Sequence, residues 1–396
     1  MSYNEVKMAR IVLATRMATM DESATLALNA RAKQLAHEGK TIYNLTAGEL
    51  ASDTPEYIQE AVAKTLQLNK YTPVAGLPQL RQQIAYEARK NYGLDWIEPA
   101  NVVVTAGAKP ALHASLLAII NEGDEVIVPT PAWVSYNHLI ELAGGVVIEV
   151  PLTSDFDLDP AAIKAELTSR TKAIIINSPH NPTGAIFSTL ALVELAATLK
   201  GRGVTVISDD MYAKLVYDDS FTLVPTCGFE QLIIINGFSK SQALTGWRIG
   251  YAIAEQPIAQ AITNLLSHIT GNAAVPSQQA AIAAMERHDT PPQETIDALK
   301  RQRLMVGNVL KTANKLKYHL PGGAFYVFLD LRAVTDDSAG WCEDLLNETG
   351  VALVPGEAFS AAGSARLSFV TDETTLKTAL DLIVQFASRG SAGAKS

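Results

Sequence analysis

Between residues 101 and 269 short apolar runs alternate with longer helix-like stretches, and nothing else in the chain limits its fold as much. The apolar runs fall at 101–105, 125–129, 146–150, 172–177, 204–208 and 232–236. Each is short and continuous, so each reads as a strand covered on both faces. The stretches at 111–121, 133–143, 189–200 and 258–269 have helical length. This order implies an α/β fold with a parallel or mostly parallel sheet under helices on both sides. Ligands of such sheets bind outside the carboxyl ends of the strands.

A chain of 396 residues that is 48% hydrophobic is long for one domain, so two are expected. From about Arg287 the pattern changes to a charged helix over 293–317, a segment at 323–330, a helix at 339–347 and a strand at 366–370. The expected division is a large α/β domain at 46–285 and a smaller α+β domain built from 1–45 and 286–388, with a flexible tail at 389–396. Against 41 acidic residues stand 32 basic ones, a net charge of -9, which argues against non-specific binding to nucleic acid or anionic membranes. Cys227 and Cys342 are far apart and lack metal-ligand spacing, which fits a reducing compartment. No apolar run approaches the ~18 residues of a membrane span, and 10–16 is too short for a signal-peptide core, so the chain reads as cytoplasmic.

Chemistry gathers at the strand ends. In Gly237-Phe238-Ser239-Lys240 a lysine follows the strand at 232–236, and Arg248 comes eight residues later. A lysine beside a buried strand has its ammonium disfavoured by desolvation, which leaves a neutral amine able to attack an aldehyde. The guanidinium supplies a planar fork for a phosphate. An aldehyde and a phosphate on one cofactor point to pyridoxal phosphate. The turn Gly107-Ala108-Lys109 leads from a strand into a helix, whose free N–H groups suit an anion. Trp133 after Pro129-Thr130-Pro131 suits stacking on a flat ring, although core packing is the plainer use of one indole. Asn181 stands in the rigid turn Asn177-Ser178-Pro179-His180-Asn181-Pro182-Thr183-Gly184, with an amide to offer a ring oxygen. His180 beside it has no evident partner and reads as structural or peripheral. Asp209 ends the strand at 204–208 and is suited to a protonated pyridine nitrogen, with Asp210 the competing candidate and a helix cap the plainer role. Tyr212 follows within reach of the same ring. Arg366 opens a late strand and, taken singly, reads as a surface ion pair.

In this order along the chain, Tyr71, Gly107, Trp133, Asn181-Pro182-Thr183-Gly184, Asp209, Tyr212, Ser239-Lys240, Arg248 and Arg366 resemble the fold-type I pyridoxal-phosphate aminotransferases. Weaker signatures agree, among them Leu45-Thr46-Ala47-Gly48-Glu49 and Pro321-Gly322-Gly323-Ala324-Phe325-Tyr326, so the likeness spans nearly the whole chain. The resemblance implies a homodimer with shared active sites. It implies that Lys240 carries the cofactor as an internal aldimine and moves the substrate proton, that Asp209 binds the pyridinium nitrogen, and that Asn181 and Tyr212 bind the ring hydroxyl. Arg248, Ser239 and the turn of Gly107, Ala108 and Lys109 would hold the phosphate, with Tyr71 reaching in from the partner subunit. Trp133 would stack on the ring, and Arg366 with Gly48 and Asn181 would grip the substrate carboxylate.

Lys109 makes the chain most similar to the bacterial aspartate and prephenate aminotransferases, where a lysine at this turn meets the distal carboxylate of the substrate; phosphate binding or a surface position is the equal alternative. Two departures stand out: Glu49-Leu50-Ala51-Ser52-Asp53 lacks the Pro and Phe usual in that group, and position 237 is glycine where many relatives carry serine. The resemblance implies ping-pong transfer from aspartate to 2-oxoglutarate, with an aromatic, prephenate or alanine-type transaminase as the alternative. An eliminating lyase and a cofactor-sensing regulator are the competing classes. The regulator needs a basic helix-turn-helix, for which only a short segment precedes the first signatures. A nucleotide-binding oxidoreductase needs a Gly-x-Gly-x-x-Gly after the first strand, which is missing.

Overall fold

The computed structural model describes residues 12–17, 20, 24–217 and 220–389, and residues 390–396 of the expected tail lie outside them. A short strand β1 (Tyr43–Asn44) precedes β2 (Val102–Thr105), β3 (Glu125–Thr130), β4 (Val146–Pro151), β5 (Thr171–Asn177), β6 (Thr205–Asp209), β7 (Leu232–Gly237) and β8 (Gly250–Ile253). Strands β2 to β8 form one seven-stranded sheet in the order β2-β8-β7-β6-β5-β3-β4. The run from β4 to β7 is parallel. Only β8 is antiparallel to its neighbours β2 and β7, so the sheet is mostly parallel, as expected.

Burial on both faces explains the continuous apolar runs of β2, β3, β5, β6 and β7, whereas β4, at the edge of the sheet, is mostly exposed or half-buried. In β5, Ile174 and Ile176 join one core while Ala173 and Ile175 join the core on the other side. The two-residue period of a strand divides them in this way. Each apolar run of the sequence coincides with a strand from β2 to β7, and the four helical stretches with helices Ala108–Ile119, Ser135–Leu142, Thr189–Leu199 and Gln256–Ile269. Strand β8 has no counterpart among them: four residues opening on glycine, directly after a loop, carry too little periodicity.

A second, four-stranded sheet has the order β12-β13-β10-β9, from β9 (Lys317–His319), β10 (Tyr326–Asp330), β12 (Val354–Pro355) and β13 (Ser364–Ser368). It packs with helices Gln293–Leu310, Ser338–Thr349 and Glu373–Ser388 around a core of its own. The charged helix ends at Leu310, short of the expected 317, and residue 317 already opens β9. The Thr312 hydroxyl donates to the Val309 carbonyl at 2.7 Å, closing the last turn, while the lysines at 311 and 315 keep the helical look of the sequence going. Strand β1 pairs in parallel with β11 (Val351–Ala352), so the N-terminal segment joins the C-terminal one. Helix Ala24–His37 seals that seam by burying Ala32 and Leu35 against Leu346 and Ala352.

Candidate active site

The carboxyl ends of β2, β5, β6 and β7 open on one cavity of about 470 Å³. Gly48, Ala108, Lys109, Trp133, Asn181, Asp209, Tyr212, Ser239, Lys240, Arg248 and Arg366 all line it. Tyr71 does not, and its side chain is 98% exposed. His180 also stands off the cavity, buried, with Nδ1 2.8 Å from the Thr183 hydroxyl and burial pushing its ring down to about 3.

The two aspartates at the end of β6 face opposite sides of the sheet. Asp209 turns into the cavity, where Tyr136 donates its hydroxyl to Oδ2 at 2.7 Å and the Met211 N–H lies 3.3 Å from Oδ1. Burial raises its carboxyl, and these two bonds and the Lys240 charge draw it back. It forms no ion pair among the described residues, so a cation brought by a ligand is its natural complement. Asp210 turns away, receives the Tyr92 hydroxyl at 2.8 Å and that of Ser208, and is pushed up to about 7, chiefly by burial.

Lys240 reaches across the cavity and donates to the Gly48 carbonyl. Burial lowers its amine to about 8, with Arg366 and Arg248 acting the same way and Glu49 and Asp209 opposing. A neutral nucleophile is therefore accessible near neutral pH. Arg248 adopts φ 52° and donates to the Thr245 carbonyl at 2.9 Å, lying against the turn at Gly107. A Cβ at Gly107, whose φ is +102°, would sit 2.6 Å from Arg248 Nη2. Glycine there lets the guanidinium close over the start of helix Ala108–Ile119, which makes an anion cradle. Lys109 Nζ stands 4.8 Å from the centre of the Trp133 ring, and burial followed by Arg248 lowers its amine. Gly237 lies within β7, where a Cβ would come within 3.0 Å of Gly250 Cα and of the Ile249 carbonyl oxygen, so this departure removes a side chain from a crowded strand.

Arg366 corrects the reading of that residue taken singly, because it is only 2% exposed. Strand β13 runs between β10 and β12 and carries residue 366 in register with Phe328 and Val354, away from solvent. Its Nη1 donates to Asn181 Oδ1 at 2.9 Å and its Nη2 to the Thr46 carbonyl at 3.0 Å, while Nε has no partner. The guanidinium lies 4.3 Å from the centre of the Tyr326 ring. No acidic side chain pairs with it among the described residues. A buried cation with a free donor calls for an anionic ligand.

Tyr136 and Tyr326 escaped the sequence reading. Tyr136, which bonds Asp209, lies three positions after Trp133 in a helix whose sequence does not show which side chain faces the cavity. Tyr326 exchanges a 2.9 Å hydrogen bond with the Tyr212 hydroxyl, and only its place after Pro321-Gly322-Gly323-Ala324-Phe325 hinted at a role. The turn before Asn181 is held by Asn177, whose Oδ1 accepts the Asn181 N–H at 2.8 Å and whose Nδ2 bonds the Asp209 carbonyl at 2.8 Å. An unpaired acid, an amine lowered to about 8, a glycine-lined anion cradle and a buried arginine fit pyridoxal phosphate together with a carboxylate substrate.

Relatives carry the same fold along almost their whole length. The aspartate aminotransferase of Geobacillus stearothermophilus is 40% identical over 388 residues, 94% of this chain and 98% of that protein. The aspartate/prephenate aminotransferase of Thermus thermophilus is 38% identical, over 95% of this chain and 99% of that protein. A solved structure of the Thermus thermophilus aspartate aminotransferase with maleate superposes with a TM-score of 0.90 at 36% identity, covering 95% of this chain and all of that one. The sequence profile of the aminotransferases of class I and II matches residues 40–383. Cavity, fold and profile agree, and the chain belongs to the class I and II aminotransferases, enzymes of fold type I that depend on pyridoxal phosphate.

Proposed function

We propose that the chain moves the amino group of aspartate to 2-oxoglutarate by a ping-pong mechanism, as a homodimer. The observation that carries this reading is Arg366, buried to 2% exposure without an acidic partner and keeping one donor free. A carboxylate of the substrate completes it, with Asn181 holding the guanidinium in place. Lys109, on the same cavity, supplies a second positive charge, which suits a dicarboxylic acid better than a neutral one.

Pyridoxal phosphate, when bound, supplies an aldehyde for the amine and a ring that accepts the electrons of the broken Cα–H bond. Arg248, Ser239 and the Gly107–Lys109 turn would hold its phosphate. Asp209 holds the proton of the ring nitrogen, because a buried carboxylate is stabilised by the positive charge it faces. Tyr212 and Asn181, lining the cavity, would meet its ring hydroxyl, and Trp133 would stack on its ring. Lys240, once its amine is free, would be the base that takes the proton from the substrate Cα.

Tyr71, exposed to 98% in the single chain, is suited to the phosphate of a partner subunit. The working division into domains is 46–285 against 1–45 with 286–388. Two free, buried cysteines favour a cytoplasmic enzyme, and no helix among the described residues is long and apolar enough to cross a membrane.

Incubation with L-aspartate and 2-oxoglutarate tests the reading. Equal amounts of oxaloacetate and glutamate are expected, with L-alanine and L-phenylalanine turned over more slowly. Ammonia released without glutamate would point to elimination and overturn the proposal, and so would a preference for alanine.

A further inference from the structure

A chain of hydrogen bonds leads from Arg366 to the N-terminal helix, and its polarity is fixed at one end. Arg366 Nη2 donates to the Thr46 carbonyl at 3.0 Å. Thr46 in turn gives its backbone N–H, at 3.1 Å, and its hydroxyl, at 2.7 Å, to the Asn44 side-chain oxygen. A backbone N–H only donates, so the oxygen of the Asn44 amide must face Thr46 and its NH2 must face away. That NH2 donates to Asn29 Oδ1 at 2.7 Å. The oxygen of Asn29 is thereby engaged, and its own NH2 is the end left over. Asn29 lines the active-site cavity, and its Nδ2 has no protein partner among the described residues.

Nothing in the sequence singled Asn29 out, because an asparagine within a helix ordinarily faces solvent. Here the helix is tied down on both sides of it. Ala32 and Leu35 pack against Leu346 and Ala352, and Leu28 packs against the cluster of Phe328, Val354 and Phe359. The amide is therefore held on a rigid element with a single orientation, the condition under which one donor discriminates between ligands.

We propose that Asn29 binds substrate, its NH2 donating to a carboxylate oxygen of the amino or oxo acid, and that Asn44 is a positioning residue that sets the polarity of that amide. The inference rests on the cavity being the substrate site with Arg366 as its clamp. It adds a side-chain donor from helix Ala24–His37 to the same cavity.

The test measures the dissociation constant of succinate, an unreactive dicarboxylate, on the holoenzyme by calorimetry, together with KM and kcat for L-aspartate. Asn29→Ala is expected to weaken succinate about tenfold or more, the worth of one hydrogen bond to a charged group, with kcat much less affected. Asn44→Asp keeps an oxygen for Thr46 but offers a second oxygen to Asn29, so the Asn29 amide must turn and present its own oxygen to the ligand. Succinate binding should weaken at least as much, and Asn44→Asp should add nothing in an Asn29→Ala background. Equal weakening by Asn44→Asp in both backgrounds would overturn the positioning role. Unchanged succinate affinity in Asn29→Ala, with affinity lost in Arg366→Gln, would overturn the proposal and leave the site assignment standing. Affinity retained in Arg366→Gln would instead sink the site assignment.

Discussion

Asp209 and Tyr136 show how one buried contact sets a working protonation state. Burial raises the Asp209 carboxyl, and the Tyr136 hydroxyl at 2.7 Å lowers it again. Removing that hydroxyl in Tyr136→Phe leaves desolvation less opposed, so Asp209 takes up a proton at higher pH. The acidic limb of the kcat profile should move upward in pH, and a profile identical to wild type would show that the contact does not tune Asp209. Asp209→Ala should cut kcat by about 10²–10³-fold with a smaller change in KM, because the charge is needed most where electrons enter the ring. Steady-state kinetics read this directly, and an effect confined to KM would contradict it. The amine of Lys240, lowered to about 8, gives a third expectation. The amine is protonated below that value and neutral above it, so the rate at which apoprotein captures pyridoxal phosphate should rise with pH and level off near 8. A rise continuing toward the ordinary lysine range would mean that burial does not lower the amine. Asp209 and Lys240 were legible in the sequence because strand ends are where such folds bind ligands. Arg366 was legible only through its resemblance to a family, since nothing near residue 366 announces that its strand is interior to a sheet. Tyr136 and Asn29 were illegible because their roles depend on the direction in which a helix presents them.

At the scale of elements, one antiparallel strand decides how tightly the anion cradle at Gly107–Lys109 is built. Strand β8 lies between β2 and β7, and its first residue, Gly250, pairs with Thr105 on one side and Gly237 on the other. A Cβ at Gly250 would stand 2.5 Å from the Ala108 backbone nitrogen and 2.7 Å from the Gly107 carbonyl carbon. No flexible side chain is there to move aside, so Gly250→Ala must push the cradle itself. The expected outcome is a loss of about 1–3 kcal/mol in stability and weaker retention of pyridoxal phosphate, checked by thermal unfolding and by dialysis of the holoenzyme. A variant that keeps its cofactor through dialysis would show that the turn yields without consequence. Strands β2, β3, β5, β6 and β7 were readable because burial on both faces leaves an uninterrupted apolar run, a signal that survives without knowledge of neighbours, while the half-exposed edge strand β4 was readable from its β-branched residues. For β8 the deciding fact is tertiary: a four-residue segment becomes a strand because two strands distant in sequence leave a slot between them. The same reasoning covers the helix expected to reach residue 317, where a side chain closing the last turn outweighs continued helical composition.

For the whole molecule, the proposed sharing of sites between subunits has a sharp consequence. Lys240→Ala and Tyr71→Phe damage the same site from opposite subunits in a dimer. When the two inactive or weakened variants are unfolded together and refolded, hybrid dimers collect both lesions in one site and leave the other intact. Activity above that of either variant alone is expected, and mixing without recovery would show that Tyr71 acts within its own chain or not at all. Analytical ultracentrifugation of the holoenzyme should give the mass of two chains of 42.4 kDa.

The parallel pairing of Tyr43–Asn44 with Val351–Ala352 also says something about the order in which the protein comes into being. As the chain leaves the ribosome, the helix at Ala24–His37 emerges before the main sheet, yet Leu346 and Ala352, against which it packs, are translated after that sheet. Segments made first ordinarily fold first. Here helix Ala24–His37 must wait for β11, while the seven-stranded sheet that lies between them in sequence is completed. Asn29 and Asn44 would then take their places in the pocket only after residues 346–352 are made, so a nascent chain holding a finished main sheet would still lack part of its substrate site.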